Sequence, residues 1–317
     1  MNYKYFLFII FFCITTVVKA EIFTLLDDIG AREPINSPIE VYDPNGNSYP
    51  DPFTDDQIIL EISKDNYLDF VDEILTPGQI EMFENYPETF KMNVYRSRRS
   101  CAVPAEVTDL TVNNAILIDN GEGIEGVVGS IPFPMPSEAL HYVWNHILRY
   151  RGVDIYGSSP FYIVNPDGSI DYGKGEAIAK NFWNPFTRND KGLQGMLMTK
   201  VTHPPRLADA SLLVIESLNA FKKPRQAWAY NPGTRRVRRA PDISYDYKPS
   251  ANQGITTTDQ ADGFNGAKDR YEWSFLGMQK RLMPYNAYKF HEKELDVLLT
   301  TNHVNQDFLR YELVNVN

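Results

Sequence analysis

Six residues spell the best-known ligand signature in this chain: Gly121-Glu-Gly123-Ile-Glu-Gly126 is a literal G-x-G-x-x-G, and it follows the apolar run Ala115 to Ile118. In a dinucleotide site the last glycine opens a helix whose N-terminus faces the pyrophosphate. Here Pro132, Pro134 and Pro136 follow closely and forbid that helix, while Glu122 and Glu125 repel phosphate. The spacing therefore predicts a loop and no nucleotide cofactor. The histidines are His141, His146, His203, His291 and His303. Two ligands on one helix need an i, i+4 interval, which His141 and His146 miss, so no metal centre is expected. Cys101 follows Arg96, Arg98 and Arg99, cations that lower a thiol pKa, but a lone cysteine beside a basic run reads as structural. Thr256 to Asp269 concentrates oxygen donors and glycine without the spacing of a calcium loop, and both Asx-type turns and a calcium site account for it. No Gly-x-Ser-x-Gly elbow and no paired acid–base motif is present, which argues against an enzyme.

One cluster stands apart from this acidic background. Lys222, Lys223 and Arg225 precede Gln226-Ala-Trp228-Ala-Tyr230, and Asn231-Pro-Gly then leads to Thr234 and Arg235-Arg236-Val237-Arg238-Arg239. Strand alternation turns Arg235, Val237 and Arg239 one way and Arg236 and Arg238 the other. Two readings fit equally: an internal ion-pair network at a sheet surface, or guanidinium groups offered to lipid headgroup phosphates or another anionic ligand.

These residues need elements to hold them. Apolar residues at Tyr67, Phe70, Val71, Ile74 and Leu75 predict a helix over 66–75. Thr76-Pro77-Gly78-Gln79 is a capping box for a second helix ending before Pro87. A third is predicted over 138–151, capped by Ser137, with Leu140, Val143, Trp144, Ile147 and Leu148 as its apolar stripe and Gly152 as its stop. Beyond Gly152 the pattern turns to strands. A hairpin is read around Asn165-Pro-Asp-Gly168, with further strands over 195–203, 212–218, 226–230, 234–239, 270–278, 286–291 and 310–316. The fold class is α+β, a mostly antiparallel sheet with a few amphipathic helices covering it.

The N-terminus reads as a cleaved export signal over 1–20. Lys4 is followed by the apolar run Phe6 to Thr16 and by Val18-Lys19-Ala20, so the mature domain is expected to span 21–317 as one unit. The apolar core falls short of the ~20 residues of a membrane-spanning helix. Phe11 and Phe12 before Cys13 do not suit a lipoprotein signal, so no lipid anchor is expected. Loss of Cys13 leaves Cys101 alone, so no internal disulfide can form. The chain carries 31 basic and 41 acidic residues, net −10, and the signal removes Lys4, Lys19 and no acid. That balance excludes general nucleic-acid binding.

Several stretches together resemble an exported proteobacterial family known only as domain of unknown function thirteen twenty-nine. Arg225-Gln-Ala-Trp-Ala-Tyr-Asn-Pro-Gly-Thr-Arg-Arg-Val-Arg-Arg-Ala-Pro241 looks like its central signature. Leu75 to Gln79, Gly129 to Pro134, Trp144 to Gly152, Asp262 to Tyr271 and Pro284 to Lys289 match in the same order. The resemblance implies a fold similar to outer-membrane lipoprotein sorting factors: a strongly curved sheet forming an unclosed barrel around an apolar cavity. It implies a periplasmic location, hydrophobic or lipid cargo, and partnership with an inner-membrane exporter and an outer-membrane protein. No catalytic residue carries over. Family members continue beyond the motif seen here as Leu309 to Leu313, so missing final strands and an open sheet edge are expected. The reading is a periplasmic carrier for a hydrophobic molecule. Trp228 and Tyr230 would line its cavity, and Arg235, Arg236, Arg238 and Arg239 would stand near the rim. A non-catalytic adaptor subunit of a transport complex is the alternative.

Overall fold

The computed structural model describes residues 51–98, 103, 105–111, 114–127, 131–165, 167–182, 192–240, 243, 245–248, 254–291, 295–299 and 302–316. The expected export signal and Cys101 lie outside these residues. The chain forms two compact units, one from 1–102 with 277–317 and the other from 103–276.

The first unit joins distant stretches of chain. Its strands are β1 (Leu60–Ile62) and β2 (Met92–Val94), and it receives the last two strands of the chain, Gln279–Pro284 and Tyr311–Val316. Their order in the sheet is β1, β2, Tyr311–Val316, Gln279–Pro284, antiparallel except where Tyr311 meets Val94 in parallel. Tyr311–Val316 is thus an interior strand of this sheet. Helix α1 (Pro77–Asn85) starts as its sequence demands: Thr76 accepts from the Gln79 amide, and the Gln79 side chain accepts in return from Thr76. Gln79 also donates to the Leu282 carbonyl at 2.7 Å, tying the helix start to the sheet. Phe83 then buries its ring between Tyr67, stacked at 4.9 Å, and Phe90, edge-on at 4.7 Å.

The helix predicted over 66–75 is instead a short 3-10 turn, Tyr67–Asp69, followed by tight turns. Phe70, Ile74 and Leu75 are buried as the pattern implied, but the Ile74 carbonyl accepts a backbone hydrogen bond from the Leu282 N–H at 3.0 Å. That carbonyl serves the sheet instead of a helical ladder, and the capping box starts a fresh helix at once.

The second unit opens with a short helical turn, Ala105–Asp109, and then a hairpin of β3 (Ile116–Ile118) and β4 (Gly123–Glu125). Its glycines are structural: Gly121 and Gly126 have φ of +85° and +71°, and a Cβ on Gly126 would lie 2.3 Å from the Asn114 carbonyl oxygen. Helix α2 (Ala139–Ile147) follows, shorter than the predicted 138–151 and without a side-chain cap from Ser137. Past its end Arg149 and Arg151 swing to Asp262, at 2.6 and 2.5 Å, a tertiary pairing that replaces further helical turns.

A six-stranded antiparallel meander makes up the rest: β5 (Asp154–Val164), β6 (Ile170–Asn181), β7 (Leu193–His203), β8 (Ser211–Ser217), β9 (Gln226–Asn231) and β10 (Arg236–Arg239). β5 and β10 are its two edges, so it does not close into a barrel. Bulges at Lys174/Gly175 and Leu193/Gly195 bend it. Pro160 sits on the β5 edge, where a missing N–H is tolerated. The strand predicted over 270–278 is absent, because Lys268–Arg270 forms a 3-10 turn and the following residues run without sheet partners. The strand predicted over 286–291 is also overturned, since Tyr288–His291 is helical; β11 (Gln279–Pro284) ends first and pairs with β12 (Tyr311–Val316). Among the described residues no helix is long and apolar enough to cross a membrane. The α+β class holds, with an unclosed antiparallel sheet as its largest element.

Candidate functional site

Strand alternation sorts the meander into two faces of different chemistry. On one face the cross-strand register lines up Tyr156, Ile178, Met198, Leu213 and Trp228, one residue from each of five successive strands. At ~4.8 Å per strand this apolar ladder runs about 19 Å across the sheet. Tyr156 is 67% exposed, Ile178 55% and Met198 46%, values far above those of core side chains. The neighbouring rows are polar. Asp154 and Lys180 pair at 3.2 Å on one side, and Glu176 and Lys200 stand opposite each other on the other.

The residues expected to bind ligand divide between the faces. Trp228 and Tyr230 share the ladder's face with Val237 and Arg239, whose guanidinium lies 6.0 Å from the Trp228 ring. Arg236 and Arg238 point the other way by register, and Arg235 occupies the turn with φ of +52°. All four arginines are exposed, and among the described residues none is paired with a carboxylate. Among the described residues the ion-pair network that alternation left open is therefore not built, and the four arginines are exposed.

On the opposite face Val214 and Ala227 are buried against Ile243. Glu216 follows in the same alternation as Leu212 and Val214, and so turns its carboxylate inward. Arg225 meets it at 2.5 Å and also donates to the carbonyls of Ile243 at 3.1 Å and Asn265 at 2.8 Å. These bonds lead into a cavity of about 820 Å³. Lys268 enters it from the 3-10 turn, its side chain 7% exposed, its ammonium 4.3 Å from the Trp144 ring centre and 3.9 Å from Glu122. Trp144 is itself locked by a 3.0 Å hydrogen bond from its indole to the Gly121 carbonyl.

Burial pushes the Glu216 carboxyl up, and Arg225 opposes it without cancelling it. Burial likewise raises Glu122, against the charge of Lys268, and lowers Lys268, against Glu122 and Glu216. The cavity is thus lined by charge where an apolar one was expected, because Glu216, Glu122, Arg225 and Lys268 all turn inward. Neither Trp228, Tyr230 nor the four arginines of the hairpin border it. Sequence reasoning missed this group. The one signal available was Glu216, a carboxylate in step with the inward residues of a strand. In the suspected calcium stretch, Asp259 is already engaged by the hydroxyls of Thr257 and of Tyr271, the latter at 2.8 Å.

Trp144, Arg225 and Lys268 come from three of the stretches that suggested a family, and the comparisons agree. The profile of the family described as "Protein of unknown function (DUF1329)" matches residues 61–317. An uncharacterized protein of Pseudomonas aeruginosa, PA3922, is 38% identical over 273 residues, covering 84% of this chain and 60% of that protein. The chain thus spans about 60% of that relative's length. Among solved structures, a DUF1329 family protein from Desulfovibrio piger aligns at 17% identity and a TM-score of 0.32, over 45% of this chain and 57% of that one. A putative outer membrane lipoprotein-sorting protein domain from Vibrio parahaemolyticus aligns at 12% identity and a TM-score of 0.28, over 36% of this chain and 46% of that one.

Proposed function

This chain belongs to the DUF1329 family, and on that premise we propose that it is a periplasmic, non-catalytic carrier whose hydrophobic or lipid cargo lies along the ladder of the six-stranded sheet. One observation carries the reading: Tyr156, Ile178, Met198, Leu213 and Trp228 form a continuous apolar strip of which Tyr156, Ile178 and Met198 are open to solvent. Each ~100 Å² of that strip covered by cargo contributes about 2.5 kcal/mol. Delivery to an inner-membrane exporter and an outer-membrane protein completes the proposal.

Native mass spectrometry of protein purified from an envelope fraction, followed by organic extraction, tests it. The wild type is expected to carry a reproducible lipid mass. Ile178→Ser with Met198→Ser is expected to empty it while leaving the melting temperature nearly unchanged, because both side chains are already exposed. Unchanged occupancy in that variant would remove the ladder from the reading. A folded but empty wild type that co-purifies with membrane proteins would point to an adaptor instead.

The exposed, unpaired arginines extend the same proposal to the membrane surface. Each contributes about 1 kcal/mol to attraction by anionic lipid. Arg236→Glu with Arg238→Glu is therefore expected to weaken binding to phosphatidylglycerol-containing vesicles at least ~tenfold without unfolding the protein. Equal affinity in a vesicle co-sedimentation assay would discard that role.

A further inference from the structure

We propose that the cavity behind β8 binds an uncharged, polyhydroxylated ligand of the saccharide class, at a site separate from the apolar ladder and independent of cargo carriage. The argument starts from Lys268. Its side chain is 7% exposed and lines the cavity, yet among the described residues no hydrogen bond reaches its ammonium, and Glu122 stands 3.9 Å away, beyond hydrogen-bond range. Its three N–H donors open into the cavity, where a partner from outside can reach them.

The surrounding charges select that partner. Five carboxylates line the cavity (Asp119, Glu122, Glu138, Glu216 and Asp269) against the two cations Arg225 and Lys268. An anion would satisfy Lys268 but meet a carboxylate majority. A simple cation would satisfy the carboxylates but sit beside Lys268 and Arg225. An apolar ligand would desolvate all of them without a partner. A hydroxyl group both donates and accepts, so a vicinal diol can take a hydrogen bond from Lys268 and give one to Glu122 at once. The mouth adds apolar platforms: Phe221, 71% exposed, with Tyr271 and Trp273 also on the lining. Tyr271 and Trp273 hold each other edge-on at 5.6 Å, so these rings are fixed before a ligand arrives. The volume, about 820 Å³, is within the range of small-molecule sites.

The test is isothermal titration calorimetry of the purified protein with glucose, N-acetylglucosamine and maltose, with alanine and glycine betaine as zwitterionic controls. At least one saccharide is expected to bind saturably, with an affinity that salt does not change, because the ligand carries no charge. Lys268→Met is expected to weaken that binding at least ~tenfold, since it removes a charged hydrogen-bond donor. Phe221→Ala, at an exposed position that leaves folding intact, is expected to weaken it severalfold. Three outcomes overturn the proposal: no heat with any of the saccharides, tighter binding of a zwitterion, or saccharide binding unaltered in both variants.

Discussion

Arg310→Met is expected to destabilise the first unit by about 3–5 kcal/mol, a large share of the ~5–15 kcal/mol that holds an ordinary domain folded. Arg310 pairs with Glu312, which is 0% exposed, and reaches Asp56 and the Arg96 carbonyl, each at 2.7 Å. Its guanidinium also lies between two rings, 4.9 Å from Phe53 and 4.7 Å from Tyr95. Methionine keeps the apolar contacts but leaves the Glu312 carboxylate without its buried cation, with only Asn286 and the Arg98 amide still donating to it. A urea titration followed by far-ultraviolet circular dichroism measures the loss. Arg310→Met with Glu312→Gln is expected to recover part of it, and a single variant as stable as wild type would show that the pair contributes little. The same network sets an acid limit. Burial raises the Asp56 carboxyl, but Arg98 and Arg310 outweigh it and hold it below its ordinary value. That stabilisation is present above the unfolded carboxylate pKa of ~3.9 and disappears as pH falls through the lower folded value.

The second large effect belongs to the other unit and has the opposite pH sign. Arg225→Met removes the cation beside Glu216 together with hydrogen bonds to Ile243 and to both oxygens of Asn265. Loss of a buried pair's partner again costs about 3–5 kcal/mol. The Glu216 carboxyl is already raised by burial in the wild type, and without Arg225 that rise grows. A carboxyl raised on folding binds more protons in the native state. The variant's deficit relative to the wild type is therefore smallest in acid, where Glu216 is protonated in both states, and grows as pH climbs past the unfolded carboxylate range of ~4.3. Thermal melts across that range check the slope, and adding Glu216→Gln should flatten it. A gap between variant and wild-type melting temperatures that shrinks as pH rises would contradict the assignment.

Local chemistry was legible where a few adjacent residues settle it. Thr76 and Gln79 begin α1 because their cap needs only the backbone between them. The turn at Asn165 to Gly168 and the alternation of β8, β9 and β10 were readable because each hairpin pairs neighbours in sequence. The same alternation put Arg236 and Arg238 on the face away from Val237 and Arg239. The three proline residues after Gly126 precede a helix that begins only at Ala139, and positive φ at Gly121 and Gly126 gives those glycines a turn to make.

The sequence by itself thus determined the α+β class, the hairpins and the family, because these depend on spacing within about ten residues or on motif order. Only the tertiary structure decided that β12 lies beside β2, over 200 residues apart in the chain, and that Asp56, Arg98, Arg310 and Glu312 share one network around the buried Glu312. It alone decided that Arg225, a member of the basic cluster, turns inward to Glu216 while Arg235 to Arg239 stay in water. The reason is physical. A charge becomes buried only when distant segments bring it a partner, and no local pattern records where those segments will meet.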